Sequence, residues 1–193
     1  MSVSQTESES HAVHRDDVGS KIGMWLFLYT ELILFGGLFL LYAVYRYLHP
    51  EAFHEAAKEL NVVLGAVNTL ILLTSSFTMV MSIAYIGDGE KKKSMVSLGL
   101  TIVLGLAFLV NKYFEWSAKI HHGIYPNSPE LAAKSHGDNL FYGLYYAMTG
   151  LHGVHVVIGV IVLFVVLVYV AKDKVGQDNF ILLDNSGLYW HLV

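Results

Sequence analysis

Four apolar stretches, near residues 22–47, 60–86, 94–120 and 139–171, are each long enough to cross a bilayer as a helix. Inside hydrocarbon every backbone N–H and C=O needs a partner within the protein, and a helix meets that need segment by segment. The chain is therefore expected to be all-α, a polytopic membrane helix bundle. A fifth apolar stretch opens near Ile181 and runs only to Val193. As a helix it would reach about 20 Å at 1.5 Å per residue, so it reads as a truncated span, the start of a fifth, or as a half-inserted end. Composition agrees, with 54% hydrophobic and only 15% charged residues. Residues 1–20 are polar and acidic and read as a flexible cytoplasmic tail, with a membrane-embedded helical domain over 21–193. That tail has no apolar h-region, so the first span is expected to act as the targeting signal.

Orientation follows from loop cations. Arg15, Lys21, Lys91, Lys92, Lys93, Lys172 and Lys174 fall on the N-terminal side and outnumber Arg46, Lys58, Lys119 and Lys134 on the other. The N-terminus is thus expected in the cytoplasm, with the Lys91–Lys93 triplet as a topology anchor. Connections between spans are short except 121–138, which holds His121, His122, Pro126, Pro129 and His136 and should lie outside. The absence of cysteine rules out disulfides, thiolate-bound metals and cysteine-ligated iron–sulfur clusters in this chain. The net charge of −4 is spread over several loops, and no basic block suggests nucleic acid.

Polar groups inside the spans are the candidates for function. Glu31 lies near the middle of the first, where a carboxylate costs roughly 2.5–3.5 kcal/mol. It reads either as a protonated acid buried against other helices, the simpler alternative, or as an ionised member of a proton path. Asn61, Asn68, Ser75 and Ser82 recur every seven residues in the second span with Gly65 alongside, a stripe suited to close helix packing. Lys112, Glu115 and Lys119 can pair at i, i+3 and i, i+4 near the outer end of the third span, beside Trp116. In the fourth, His152 and His155 share one helix face, and Gly143, Ala147 and Gly150 form a small-residue face. Haem held by two histidines needs ligands from opposite sides, and two histidines on one helix make a poor metal site without further donors. The other histidines lie in loops, near membrane edges or, like His11 and His14, in the tail. A hydrogen bond from His152 or His155 to Glu31 is therefore the preferred role.

These motifs follow the order of a known family. Residues Gly23 to Phe39, around Glu31, resemble the acid-bearing helix of cytochrome c oxidase subunit III. Val67-Asn-Thr-Leu-Ile-Leu-Leu-Thr-Ser-Ser76 resembles that family's next helix, and Lys112-Tyr-Phe-Glu115-Trp116 its charged, aromatic motif. Thr149-Gly-Leu-His152-Gly-Val-His155 resembles its histidine helix, and Leu188-Tyr189-Trp190-His191 the start of its last helix. The resemblance covers residues 20–193 and is to the shorter bacterial forms with five spans. It implies a non-catalytic subunit of a haem–copper terminal oxidase in aerobic respiration, multi-pass in the bacterial inner membrane. It also implies a partner, catalytic subunit I, that carries the haem and copper, alongside other oxidase subunits and membrane lipids. No cofactor, metal site or catalytic residue is expected in this chain. Such a subunit stabilises the catalytic one, holds phospholipid, supports proton uptake and oxygen access, and protects against turnover-linked inactivation. Glu115, Lys112, Trp116, His152, His155, Tyr189, Trp190 and His191 are then expected to meet lipid or neighbouring subunits, and Glu31 to hold a structural or mobile proton. The electron donor could be cytochrome c or quinol, and an accessory subunit for nitric oxide reduction belongs to the same family. From a different class, a small proton-coupled transporter with Glu31, His152 and His155 as relay stays open, although no inverted repeat is visible.

Overall fold

A computed structural model describes residues 16–121, 123, 125, 128–132, 135–177 and 179–193. Among these residues there are seven helices: α1 (Asp17–Leu48), α2 (Pro50–Lys58), α3 (Val62–Gly87), α4 (Lys91–His121), α5 (Pro129–Ala132), α6 (His136–Ala171) and α7 (Ile181–Leu192). Helices α1, α3, α4 and α6 are long and apolar enough to span a membrane, and α7 is the short fifth element. The architecture is thus an all-α, multi-pass membrane bundle. Residues 1–15, with His11, His14 and Arg15, lie outside the described set, as do His122, Pro126 and Lys134.

The helix ends follow local chemistry. The Asp16 carboxylate accepts from the Gly19 N–H and starts α1 ahead of the apolar run. Proline disfavours a helical conformation in the residue before it, and His49, with φ −129° and ψ 59°, breaks the chain between α1 and α2. Pro50 then opens α2 at a position where its missing N–H costs nothing. This amphipathic helix occupies what the sequence reading treats as a short connection. It exists because Phe53 and Ala56, three residues apart, are buried where α2 packs against Phe141 and Tyr142 of α6. Ser135 and Asp138 form a capping box that starts α6 three residues earlier than the apolar pattern suggests.

Helices α3 and α4 form an antiparallel hairpin sewn together by polar contacts. Asn111 Nδ2 donates to Asn68 Oδ1 at 3.0 Å, the Thr78 and Thr101 hydroxyls meet at 2.7 Å, and those of Ser82 and Ser94 at 3.0 Å. Asn68, Ser75 and Ser82 of the seven-residue stripe are buried as expected. Asn61 is not part of it: it is exposed and caps α3 through the Leu64 N–H. Gly65 also departs from the expectation, being exposed with open space where a Cβ would stand. In α6, the expected small-residue face is reduced to Gly150, which approaches the Trp116 ring; Gly143 faces open space and Ala147 is exposed. Interhelical hydrogen bonds in membranes average about 0.6 kcal/mol. Thr101→Val, which keeps the shape but not the hydroxyl, should therefore lower stability by about that amount in a detergent unfolding titration. A loss above about 2 kcal/mol would point to a larger role for the hydroxyl.

Helix α7 is wedged against α1, α3, α4 and α6. The Trp190 indole occupies a slot where a Cβ on Gly105 of α4 would come within 2.7 Å of its ring and one on Gly159 of α6 within 2.8 Å. Its N–H donates to Ser75 Oγ of α3 at 3.1 Å. At the other end of α7, Asp184 pairs with Lys21 at 3.0 Å, and Asn185 donates to Ser20 Oγ of α1 at 2.9 Å. On the same side of the bundle, Lys91 reaches Asp173 and the Ala171 carbonyl, closing the last turn of α6.

Candidate functional site

Helix α1 is the least buried span: Leu28 is its one buried residue. Its middle nevertheless carries Glu31, whose side chain is only 14% exposed because it turns toward α6. Glu31 Oε2 lies 2.9 Å from His155 Nε2. The other imidazole nitrogen, Nδ1, stands 2.7 Å from the Leu151 carbonyl one turn back. A carbonyl only accepts, so Nδ1 carries the hydrogen. A neutral imidazole then offers a lone pair at Nε2, and Glu31 must be the protonated partner. The alternative arrangement is imidazolium and carboxylate. Both contain one proton between the two groups and carry no net charge, the form that a low-dielectric site disfavours least. The phenol of Tyr189 in α7 donates to the His155 carbonyl at 3.0 Å and steadies that turn of α6. Phe35 packs against the His155 ring, with centroids 5.4 Å apart.

The pair opens onto a cavity of about 490 Å³ between α1 and α6, lined mainly by apolar side chains, among them Leu32, Phe35, Phe39 and Met148. His152 and Thr149 also face it, and the ends of α7, Leu192 and Val193, close one side. His152 does not reach Glu31; its ring lies edge-on to Phe108. Of the two histidines on the face, His155 is thus the one that meets the acid, and their three-residue spacing alone could not distinguish them.

The third-span cluster is a separate arrangement at one end of α4. Lys112 pairs with Glu115 at 2.9 Å and Lys119 approaches it at 3.9 Å. The Tyr145 hydroxyl donates to Glu115 from α6, and the Lys119 ammonium sits 4.1 Å above the Tyr145 ring. Trp116 stacks edge-on to Tyr146. Nearby, Tyr142 donates to Glu59. These contacts fasten α4 and the α2–α3 junction to α6. Tyr189 and Trp190 are buried within the bundle, and His191 is exposed with its Nδ1 2.6 Å from Ser76 Oγ. The partners of the α3 stripe, Ser94, Thr101 and Asn111, were not singled out by sequence reasoning; the signal was a matching run of small polar residues in α4, read in the reverse direction.

Among the described residues, no three His, Cys, Asp or Glu side chains converge as metal ligands. Both nitrogens of His155 are already engaged, and His152 has no opposed donor. The described residues do not fit a haem or copper centre.

The fold and site define a multi-pass membrane helix bundle with a half-buried acid–imidazole pair between α1 and α6. A family model described as cytochrome c oxidase subunit III matches residues 3–193, and the chain belongs to that family. It is 30% identical to the cytochrome c oxidase subunit 3 of a Synechocystis species, over 97% of this chain and 76% of that protein. It is also 30% identical to the cytochrome bo(3) ubiquinol oxidase subunit 3 of Pseudomonas aeruginosa, over 93% of this chain and 82% of the relative. With the probable quinol oxidase subunit 3 of Staphylococcus saprophyticus it shares 28% identity, over 90% and 82% of the two chains.

Proposed function

We propose that this chain is the non-catalytic third subunit of a haem–copper terminal oxidase, seated in a bacterial inner membrane with its N-terminus in the cytoplasm. Subunit I, in this reading, carries the haem and copper, and the present chain stabilises it. The observation that carries the reading is the Glu31–His155 pair at the edge of the α1–α6 cavity, in a chain whose described residues offer no ligand set for a redox centre. The cavity suits the acyl chain of a phospholipid, because its walls are mainly apolar and it lies along the exposed face of α1. Relatives from both cytochrome c and quinol oxidases carry the same match, so the proposal concerns the haem–copper class as a whole.

Isolation in mild detergent tests the assembly. A larger subunit containing haem and copper should accompany the chain. Purification of the chain alone, with proton movement in liposomes, would overturn the reading in favour of a transporter. Glu31→Ala should leave the haem content of the complex intact and shorten the number of turnovers before inactivation. Complete loss of haem on that change would count against a supporting role.

A further inference from the structure

We propose that His49 and His136 form an exchangeable site for a divalent transition-metal ion, zinc being the simplest case, where the break between α1 and α2 meets the start of α6. The two imidazoles stand with ring centroids 6.0 Å apart and planes inclined by 77°. Neither makes a hydrogen bond or ion pair among the described residues. Both line a cavity of about 390 Å³, and the Glu51 carboxylate on its wall is equally unspent. No lysine or arginine among the described residues lines it. His136 and Glu51 are exposed, so an ion and its waters can enter. Zinc and copper accept neutral imidazole nitrogen readily, whereas magnesium prefers oxygen. Two protein nitrogens are fewer than the three of a catalytic zinc centre or the four of a structural one, so water fills the remaining positions and the ion exchanges. No third His, Cys, Asp or Glu converges with the pair among the described residues, and Glu51 acts through that water.

The backbone brings the pair together before any ion arrives. The His49 N–H donates to the Tyr45 carbonyl at the end of α1, and its own carbonyl accepts from the Phe53 N–H at the start of α2. His136 follows the Ser135–Asp138 capping box, which fixes the first turn of α6. Between them Gly137 is pressed against the elbow: a Cβ there would stand 2.7 Å from the Ala52 Cβ and 3.1 Å from the His49 Cβ. The spacing suits a shared ion. With a metal–nitrogen bond of about 2.0 Å, each ring centroid lies about 3.2 Å from the ion, so two rings stand about 5 Å apart at a tetrahedral angle and about 6.4 Å apart when opposed. The observed 6.0 Å falls between these limits. Rotation about the Cβ–Cγ bond of histidine is soft, and it turns one nitrogen of each ring toward the common point. A bound ion would tie the α1–α2 elbow to α6.

The test uses the protein isolated in mild detergent with whatever subunits accompany it, so its outcome is independent of the oxidase reading. After treatment with EDTA, zinc alone is added by equilibrium dialysis. His49→Ala and His136→Ala should each lower the affinity of one zinc equivalent about tenfold or more, with helix content unchanged. Glu51→Gln should weaken it less, and His54→Ala, whose imidazole lines a different recess, should bind as wild type. Equal zinc uptake by wild type and both histidine variants overturns the proposal. A second measurement needs no variant: diethylpyrocarbonate modification of the wild-type protein, read by mass spectrometry at His49 and His136. Zinc should protect both over one concentration range, and magnesium at the same concentrations should protect neither. Protection of one histidine without the other, or of neither, overturns the shared site.

Discussion

Trp190→Ala is expected to cost about 3–5 kcal/mol, the range for emptying a buried aromatic site, and to detach α7 from the bundle. The indole is 5% exposed and touches α3, α4 and α6 together. The Ser75 hydroxyl loses its donor as well. Trp190→Phe separates the two contributions, because it keeps most of the ring and removes only the N–H; it should cost about 0.5–1.5 kcal/mol for the bond, plus part of the packing. The slot can also be attacked from its walls. Gly159→Ala places a methyl within 2.8 Å of the indole and should cost about 1–3 kcal/mol by overpacking. Detergent unfolding titrations monitored by helix content would measure all three. A loss below about 1 kcal/mol for Trp190→Ala would show that α7 is held by its other contacts.

The second large effect concerns the half-buried Glu31–His155 pair. His155→Leu leaves the Glu31 carboxyl without its imidazole partner, and Glu31→Leu leaves His155 Nε2 facing hydrocarbon. Each single change should cost about 1–3 kcal/mol, the penalty for stranding a buried polar group. Replacing both partners removes the penalty along with the bond, and the double variant should be more stable than either single one. The coupling is the measurement that matters. If the two single losses simply add in the double variant, the 2.9 Å contact contributes nothing and Glu31 is held by something else.

Much of this arrangement was legible in the chain. Apolar length alone located α1, α3, α4 and α6, because hydrocarbon leaves the backbone almost no other choice. The cost of Glu31 demanded a partner, and the only histidines in mid-span were His152 and His155. Which of them it met depended on the azimuth of α6 against α1, a quantity no single helix encodes. The same limit explains Gly65, Gly143 and Ala147. A small residue permits close approach, but only the neighbouring helix decides whether the approach happens, and among 17 glycines nothing in the local sequence sets Gly105 and Gly159 apart. Asn61 fell in step with the seven-residue stripe yet serves as a cap, because the period runs past the point where the helix begins. Helix α2 escaped notice since nine residues with two buried apolar positions carry little periodic signal.

The 124 residues that separate Glu31 from His155 have a meaning in time as well as in space. At about 5–20 residues per second of synthesis, α1 enters the membrane roughly 6–25 s before its partner has been made. The α3–α4 hairpin faces no such delay, since its hydroxyls and amides find each other across a three-residue turn. During the interval the acid must ride in lipid on the strength of the Leu, Ile and Phe residues around it, each favouring insertion by about 0.3–0.6 kcal/mol. The dense apolar flanks of Glu31 are thus a requirement of biogenesis before they are a lining of any cavity.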